Sequence, residues 1–252
     1  MFTIRIDRSV FDRHPGFFRG VVVATGLHNR GPDPGLEAKL RRACRHAAAN
    51  PLDLANDGRF AVWADAFRSF GSDPGRFSPG HLALRKRVQR AGTELGFINK
   101  AVCVMNLQSI EGVLPVGGDD LTSASQFGDL LELRPATGDE TFVPLGRPEG
   151  REHPEPGEFV LAVNGTVCCR RWCWRNAHPT SIREATTALI MNTDGLGPDG
   201  ESIAVAARDR VADLLEEHCG ASIFKGLLSQ HCPEFVVSGV SPGRPWEPTE
   251  GW

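Results

Sequence analysis

The stretch INKAVCVMNLQSIEGVLPVGGDDL, from Ile98 to Leu121, gathers residues able to act on a polar ligand. Its alternation predicts a strand over Ala101–Leu107 that delivers Asn106 near its end, followed by a helical turn and Pro115. A turn over Leu114–Asp120 then presents the Gly117-Gly118 pair and the acids Asp119 and Asp120. Glycines let a ligand approach the backbone closely and leave amide donors exposed. An amide carbonyl or carboxamide beside such donors suits a small molecule or an ester, and a plain turn fits the same residues. Cys103 lies on the expected strand as pocket wall. A nucleophilic thiol with His81 as base is conceivable there, and a small buried hydrophobe is the simpler reading.

A second stretch, CCRRWCWRN from Cys168 to Asn176, puts Trp172 and Trp174 on one face of an expected strand. Arg171, Cys173 and Arg175 fall on the other. Indoles stack on nucleobases and arginines hold phosphate, but tryptophans in a core with acid-paired arginines read equally well. Arg76, Arg85, Lys86, Arg87, Arg90 and Lys100 face one acid, Glu94, and Arg170, Arg171, Arg175 and Arg183 face none in Cys168–Arg183. Joined by the fold, these runs would make a phosphate-binding face; apart, they are solvated surface. The whole chain carries a net charge of −3, so it does not attract nucleic acid as a body.

Other chemistries find little support. G-x-S-x-G, H-E-x-x-H and the phosphate-loop lysine motif are missing from the sequence. Cys168, Cys169 and Cys173 lack zinc spacing, so no metal and no cofactor are expected. The chain has no tyrosine, which removes every phenol-based mechanism.

The elements that must position these residues follow from periodicity. Strands are expected over Phe2–Ile6 and Phe17–Leu27, and helices over Leu36–Ala49, Phe60–Phe70, His81–Leu95 and Ser202–Cys219. Short strands are expected at Leu130–Leu133 and Phe142–Leu145. Phe159–Val163 and Thr166–Cys169 form a hairpin through Asn164-Gly165. The 252 residues, 40% hydrophobic and 23% charged, suffice for one large α+β domain. We place that domain over residues 1–232, with 233–252 a loosely ordered tail rich in Pro, Gly and Ser. No run of 18 apolar residues spans a membrane, Met1–Asp12 is too charged for a signal peptide, and seven cysteines is odd for a secreted framework. A cytoplasmic protein is expected.

Several motifs in order resemble the B3/B4 editing domain of the phenylalanyl-tRNA synthetase β subunit. Asn99, Val102, Val104, Asn106, Glu111, Pro115 and Asp120 fall in register with it. The resemblance is greater to the free-standing members of that family. It runs through Pro15-Gly16, Phe70–Pro74, Pro115–Leu121, Gly128–Gly146, Pro156-Gly157-Glu158 and Cys169–Thr186. Departures stand at Cys103, where the family has aspartate, at Pro79–Ala83 and at Cys173. The resemblance implies an α+β fold of layered sheets with helices packed on one side. It implies a trans-acting aminoacyl-tRNA deacylase that positions water against the ester of a mischarged tRNA. By position, Asn106, Gly117 and Gly118 become the candidate catalytic group, and Cys103, Asp119 and Asp120 the pocket. Arg85, Lys86, Arg87, Arg171, Trp172, Trp174, Arg175 and Asn176 become contacts for substrate and the tRNA 3′ end. The alternatives are a non-catalytic module binding tRNA or an amino acid, and a hydrolase of a small amino-acid-like ester or amide without RNA.

Overall fold

The computed structural model describes residues 1–91 and 94–238. Chain order is β1 (Phe2–Ile6), α1 (Arg8–Arg13), β2 (Phe17–Thr25), α2 (Pro34–Ala49), α3 (Gly58–Ser69), α4 (Gly80–Ala91) and α5 (Lys100–Gly112), then β3 (Val116–Asp120), α6 (Leu121–Ala124) and β4 (Leu130–Pro135). There follow β5 (Phe159–Val163), β6 (Thr166–Arg170), β7 (Arg175–Asn176), β8 (Ala188–Leu196), α7 (Gly200–Cys219), β9 (Ser222–Leu228) and β10 (Glu234–Val237).

Two sheets result, one in the order β10-β1-β4-β5-β6-β7 and one in the order β3-β8-β2-β9. The apolar run Val21–Ala24 is buried on both faces, so β2 lies centrally in the smaller sheet. One face of β2, with Val21 and Val23, packs against Ile4, Leu131, Leu133 and Leu161 of the larger sheet. The other, with Val22 and Ala24, packs against α2, α5 and α7 through Leu40, Val104, Leu107, Val211 and Leu215. The architecture is α+β, with helices layered on sheet and sheet on sheet.

Helix ends follow the capping rule. Asp33 accepts from the Leu36 amide at 2.9 Å, and Gly220 closes α7 in the left-handed conformation. The Asn164-Gly165 hairpin forms as expected, with Asn164 at φ 51°.

Four expectations need correction. Phe142–Leu145 forms no strand and makes only isolated bridges, Phe142↔Glu152 and Pro144↔Ala177. Ala101–Leu107 is helix, the first turns of α5, with Asn99 as its N-cap. Leu114–Asp120 is mostly strand: β3 pairs with β8 in the register Gly117↔Asn192 and Gly118↔Met191. Residues 234–237, placed in a loose tail, form β10 against β1. The remainder of that tail, 239–252, lies outside the described residues.

Candidate functional site

A cavity of about 420 Å³ opens where α4, α5, β3 and the Arg171–Asn176 segment meet the smaller sheet. Strand alternation builds its floor. Arg19 of β2 pairs with Asp194 of β8, and Asn192, two residues from Asp194, pairs with Gly117 of β3. All four positions share one face of the sheet, and Asp119 joins them two residues along β3. The Arg19 guanidinium grips Asp194 through two bonds of 2.7 and 2.8 Å, and the Trp172 indole N–H donates to the same carboxylate at 3.1 Å. Both charges are buried, so each would be costly without the other. Arg19 Nη1 and Asn192 Oδ1 stay buried and without a hydrogen-bond partner among the described residues.

Burial pushes the Asp119 carboxyl up to about 6, against the pull of the Thr180 hydroxyl, which donates to it at 2.6 Å. His81, also lining the cavity, stacks on Phe60 at 5.3 Å. Burial pushes its pKa down to about 3, with a smaller opposing pull from the backbone at Arg59, so its ring is neutral at physiological pH. Burial raises the Cys169 and Cys173 thiols too, which makes them poor nucleophiles.

The mouth is more open. Asn106, on α5, projects a carboxamide that makes no hydrogen bond within the described residues. Gly118 presents an edge. Its carbonyl accepts from Asn176 Nδ2 at 3.3 Å, and the Asp120 amide, two residues on, donates away from β8 to Thr180 at 2.8 Å. By alternation the Gly118 amide points out of the ladder as well. A Cβ at Gly117 would meet nothing within 4 Å, whereas one at Gly118 would strike Ile182 and Met191. Gly117 therefore leaves room in the cavity, and Gly118 permits close packing behind it.

A bend in the chain separates the two tryptophans. Arg171 and Trp172 both take positive φ, 48° and 63°, a strained conformation for such side chains that surrounding contacts must hold. Glu158 supplies one anchor: it accepts from Arg170 at two oxygens, 2.8 Å each, and pairs with Arg171 at 3.2 Å. Trp172 is driven into the core among Phe17, Trp63 and Phe159, while Trp174 stays at the cavity, edge-on to Phe77 at 4.8 Å.

A family model for the B3/4 domain matches residues 62–220 of this chain. The chain belongs to the B3/4 domain family. No curated protein matches this B3/4 chain. Among solved structures it is similar to an N-terminal fragment of the phenylalanyl-tRNA synthetase β subunit from Pyrococcus horikoshii, at 12% identity and a TM-score of 0.45. That alignment covers 90% of this chain and 54% of the fragment, so the chain spans about half the fragment's length.

In this B3/4 domain Asn106, Gly117, Gly118, Asp119, Arg87, Trp172, Trp174, Arg175 and Asn176 line the one cavity, although they come from separate parts of the sequence. Other expected site residues lie elsewhere. Cys103 is buried in α5 with its thiol toward the Leu36 carbonyl, and burial pushes its pKa up to about 12; it is neither pocket wall nor nucleophile. Asp120 faces away, capping α6 and accepting from Thr186 at 2.6 Å. Arg85 is buried against Gln89, Ile110 and Asn50 and lines a different cavity. Lys86 turns to Ser78, and Arg171 is held by Glu158 and Ser72.

Sequence reasoning passed over Arg19, Asn192 and Asp194. Their signal was present: polar residues in the otherwise apolar runs FFRGVVVAT and ALIMNTDGL. Among the described residues no group of three or more His, Cys, Asp or Glu could hold a metal ion, and no helix is long and apolar enough to cross a membrane.

Proposed function

We propose that this B3/4 domain is a trans-acting aminoacyl-tRNA deacylase that hydrolyses the ester of a mischarged tRNA with a positioned water. The observation that carries the reading is the convergence of Asn106, the Gly118 amide and Trp174 on one cavity large enough for an amino-acid side chain. Water attacks the ester carbonyl carbon, the oxyanion forms, and the bond to the ribose oxygen breaks. That oxygen leaves with a proton, giving free tRNA and the amino acid. The Gly118 amide suits the developing oxyanion, and the Asn106 carboxamide suits the water or the terminal ribose. Arg87 and Arg175 stand at the rim, where a 3′-end phosphate would pass. The thiols and imidazole at the cavity are held in unreactive states, which favours water over a covalent nucleophile.

The same inertness favours a second reading, a non-catalytic module that binds the aminoacyl end without cleaving it. A deacylation screen over a panel of charged tRNAs separates the two. The deacylase reading expects turnover of at least one of them and a loss of roughly 10²–10³-fold in Asn106→Ala. Binding of charged tRNA with no turnover across the whole panel would leave the binding module in its place.

A further inference from the structure

We infer that the buried end of the cavity, built from Arg19, Asn192 and Asp194, is a recognition subsite for a primary carboxamide on the side chain of the bound aminoacyl group. The inference rests on the reading that an aminoacyl group occupies this cavity. The walls are largely apolar: Leu84, Met105, Val116 and Leu161 face the space. Such walls would be served by an apolar floor. Instead the floor holds one donor, Arg19 Nη1, and one acceptor, Asn192 Oδ1, both buried and both without partners among the described residues, as are the His81 ring nitrogens on the wall. Buried polar atoms are nearly always satisfied, so this unmatched pair of opposite kind, just beneath the cavity floor, is where a ligand's polar end reaching past the floor would complete both.

Charge and geometry select that end. Asp194 neutralises Arg19 through its two bonds, and Asp119 lies on the same sheet face. A carboxylate would meet two acids for one arginine already engaged, and an ammonium would meet the guanidinium. A neutral group remains. Arg19 and Asn192 are diagonal neighbours across β2 and β8, a spacing of roughly 7–8 Å between backbones. A hydroxyl offers a single atom to two such partners. A carboxamide offers its oxygen to Arg19 Nη1 and its N–H to Asn192 Oδ1, and its oxygen is also within the class of groups the Asn192 amide N–H can serve.

Stable 3′-aminoacylamido-3′-deoxyadenosine analogues test the assignment by direct titration, with no need for turnover. The glutaminyl analogue is expected to bind roughly 10–100-fold more tightly than the nearly isosteric methionyl one, and more tightly than the glutamyl, lysyl and seryl ones. Asn192→Leu, which removes an unmatched buried polar group, should raise the melting temperature and erase the preference. A residue kept only for structure would show the opposite on stability. Equal binding of glutaminyl and methionyl analogues, tighter binding of the seryl one, or a preference that survives Asn192→Leu would each overturn the carboxamide subsite. Glutaminyl preference without hydrolysis of any charged tRNA would sink the deacylase and leave the subsite standing. Failure of every analogue to bind would remove both.

Discussion

Gly117 and Asp119 sit two residues apart on one strand and act on the cavity in different ways. Gly117 matters by what it lacks. Its missing Cβ points into open space, so Gly117→Val should fold normally, with an unchanged urea midpoint, while its methyl groups fill the cavity. Under the proposed function, deacylation should then fall on the order of 10²-fold, the cost of displacing a substrate from its reacting position. Asp119 matters by its proton. Its folded pKa of about 6 lies above the ordinary 3.8, so the folded state binds the proton more tightly than the unfolded state. Its ionisation therefore destabilises the fold as pH rises from about 4 to 6. His81 works the other way: with a folded pKa near 3 it loses stability as pH falls below 6.5, where the unfolded chain takes up the proton. Asp119→Asn removes the first effect alone. Relative to that variant, the wild type should gain on the order of 2–3 kcal/mol between pH 7 and pH 4 in denaturant titrations. A pH-independent difference would place the Asp119 charge in a far more polar setting than its burial allows.

At the scale of elements, most of the fold was legible from periodicity, and the misreadings at α5 and β3 have separate causes. The segment Ala101–Met105 reads as a strand because Val102 and Val104 alternate. In the structure Ala101, Cys103, Val104, Leu107, Gln108, Ser109 and Ile110 of α5 are all buried. A helix packed between α2, α4, α7 and β3, with Glu111 its one fully exposed residue, has too narrow a wet face to print a 3.6-residue rhythm, so β-branched residues dominate a short window. Gly117-Gly118 reads as a turn because glycine is poor in strands. Tertiary context overrides that preference: β3 is an edge strand whose glycines serve the cavity on one face and close packing on the other. Asn106, Gly117 and Gly118 still meet at one cavity, since motif register fixes positions without fixing their backbone. The bend at Arg171-Trp172 was not legible at all, because it depends on Glu158, distant in sequence, to hold two arginines. Glu158→Gln should leave Arg171 without its carboxylate in a buried place and Arg170 with Glu152 alone, and cost about 3 kcal/mol in a urea titration. The Trp174 side of the cavity should loosen with it, seen as weaker binding of substrate analogues.

For the whole molecule, the question is where its positive charge goes. The two basic runs do meet, the Gly80 amide bonding the Cys173 carbonyl at 2.8 Å. Most of their charge is nonetheless spent internally: Arg170 and Arg171 on Glu158, Arg85 in its own buried nook. Arg87 and Arg175 remain at the cavity rim. Salt dependence of tRNA binding should accordingly be shallow for so arginine-rich a chain. Replacing Arg87 and Arg175 by alanine should reduce the log–log salt slope by about 1–2. Arg85→Ala should lower stability and leave that slope alone. A slope lost with Arg85 instead would move the RNA path to the opposite face of α4.

The placement of the tryptophans has a spectroscopic consequence. With no tyrosine in the chain, near-ultraviolet emission comes from five indoles. Trp172 lies at the dry end of the cavity beside Asp194, and Trp174 at its lip. Excited indole dipoles respond to nearby charge and water, so the two should emit at different wavelengths, the inner one bluer. A ligand that displaces water from the lip would shift the outer band while leaving the inner one nearly fixed. With Trp63, Trp246 and Trp252 replaced by phenylalanine, the remaining pair becomes a two-colour gauge of how deeply the cavity is filled.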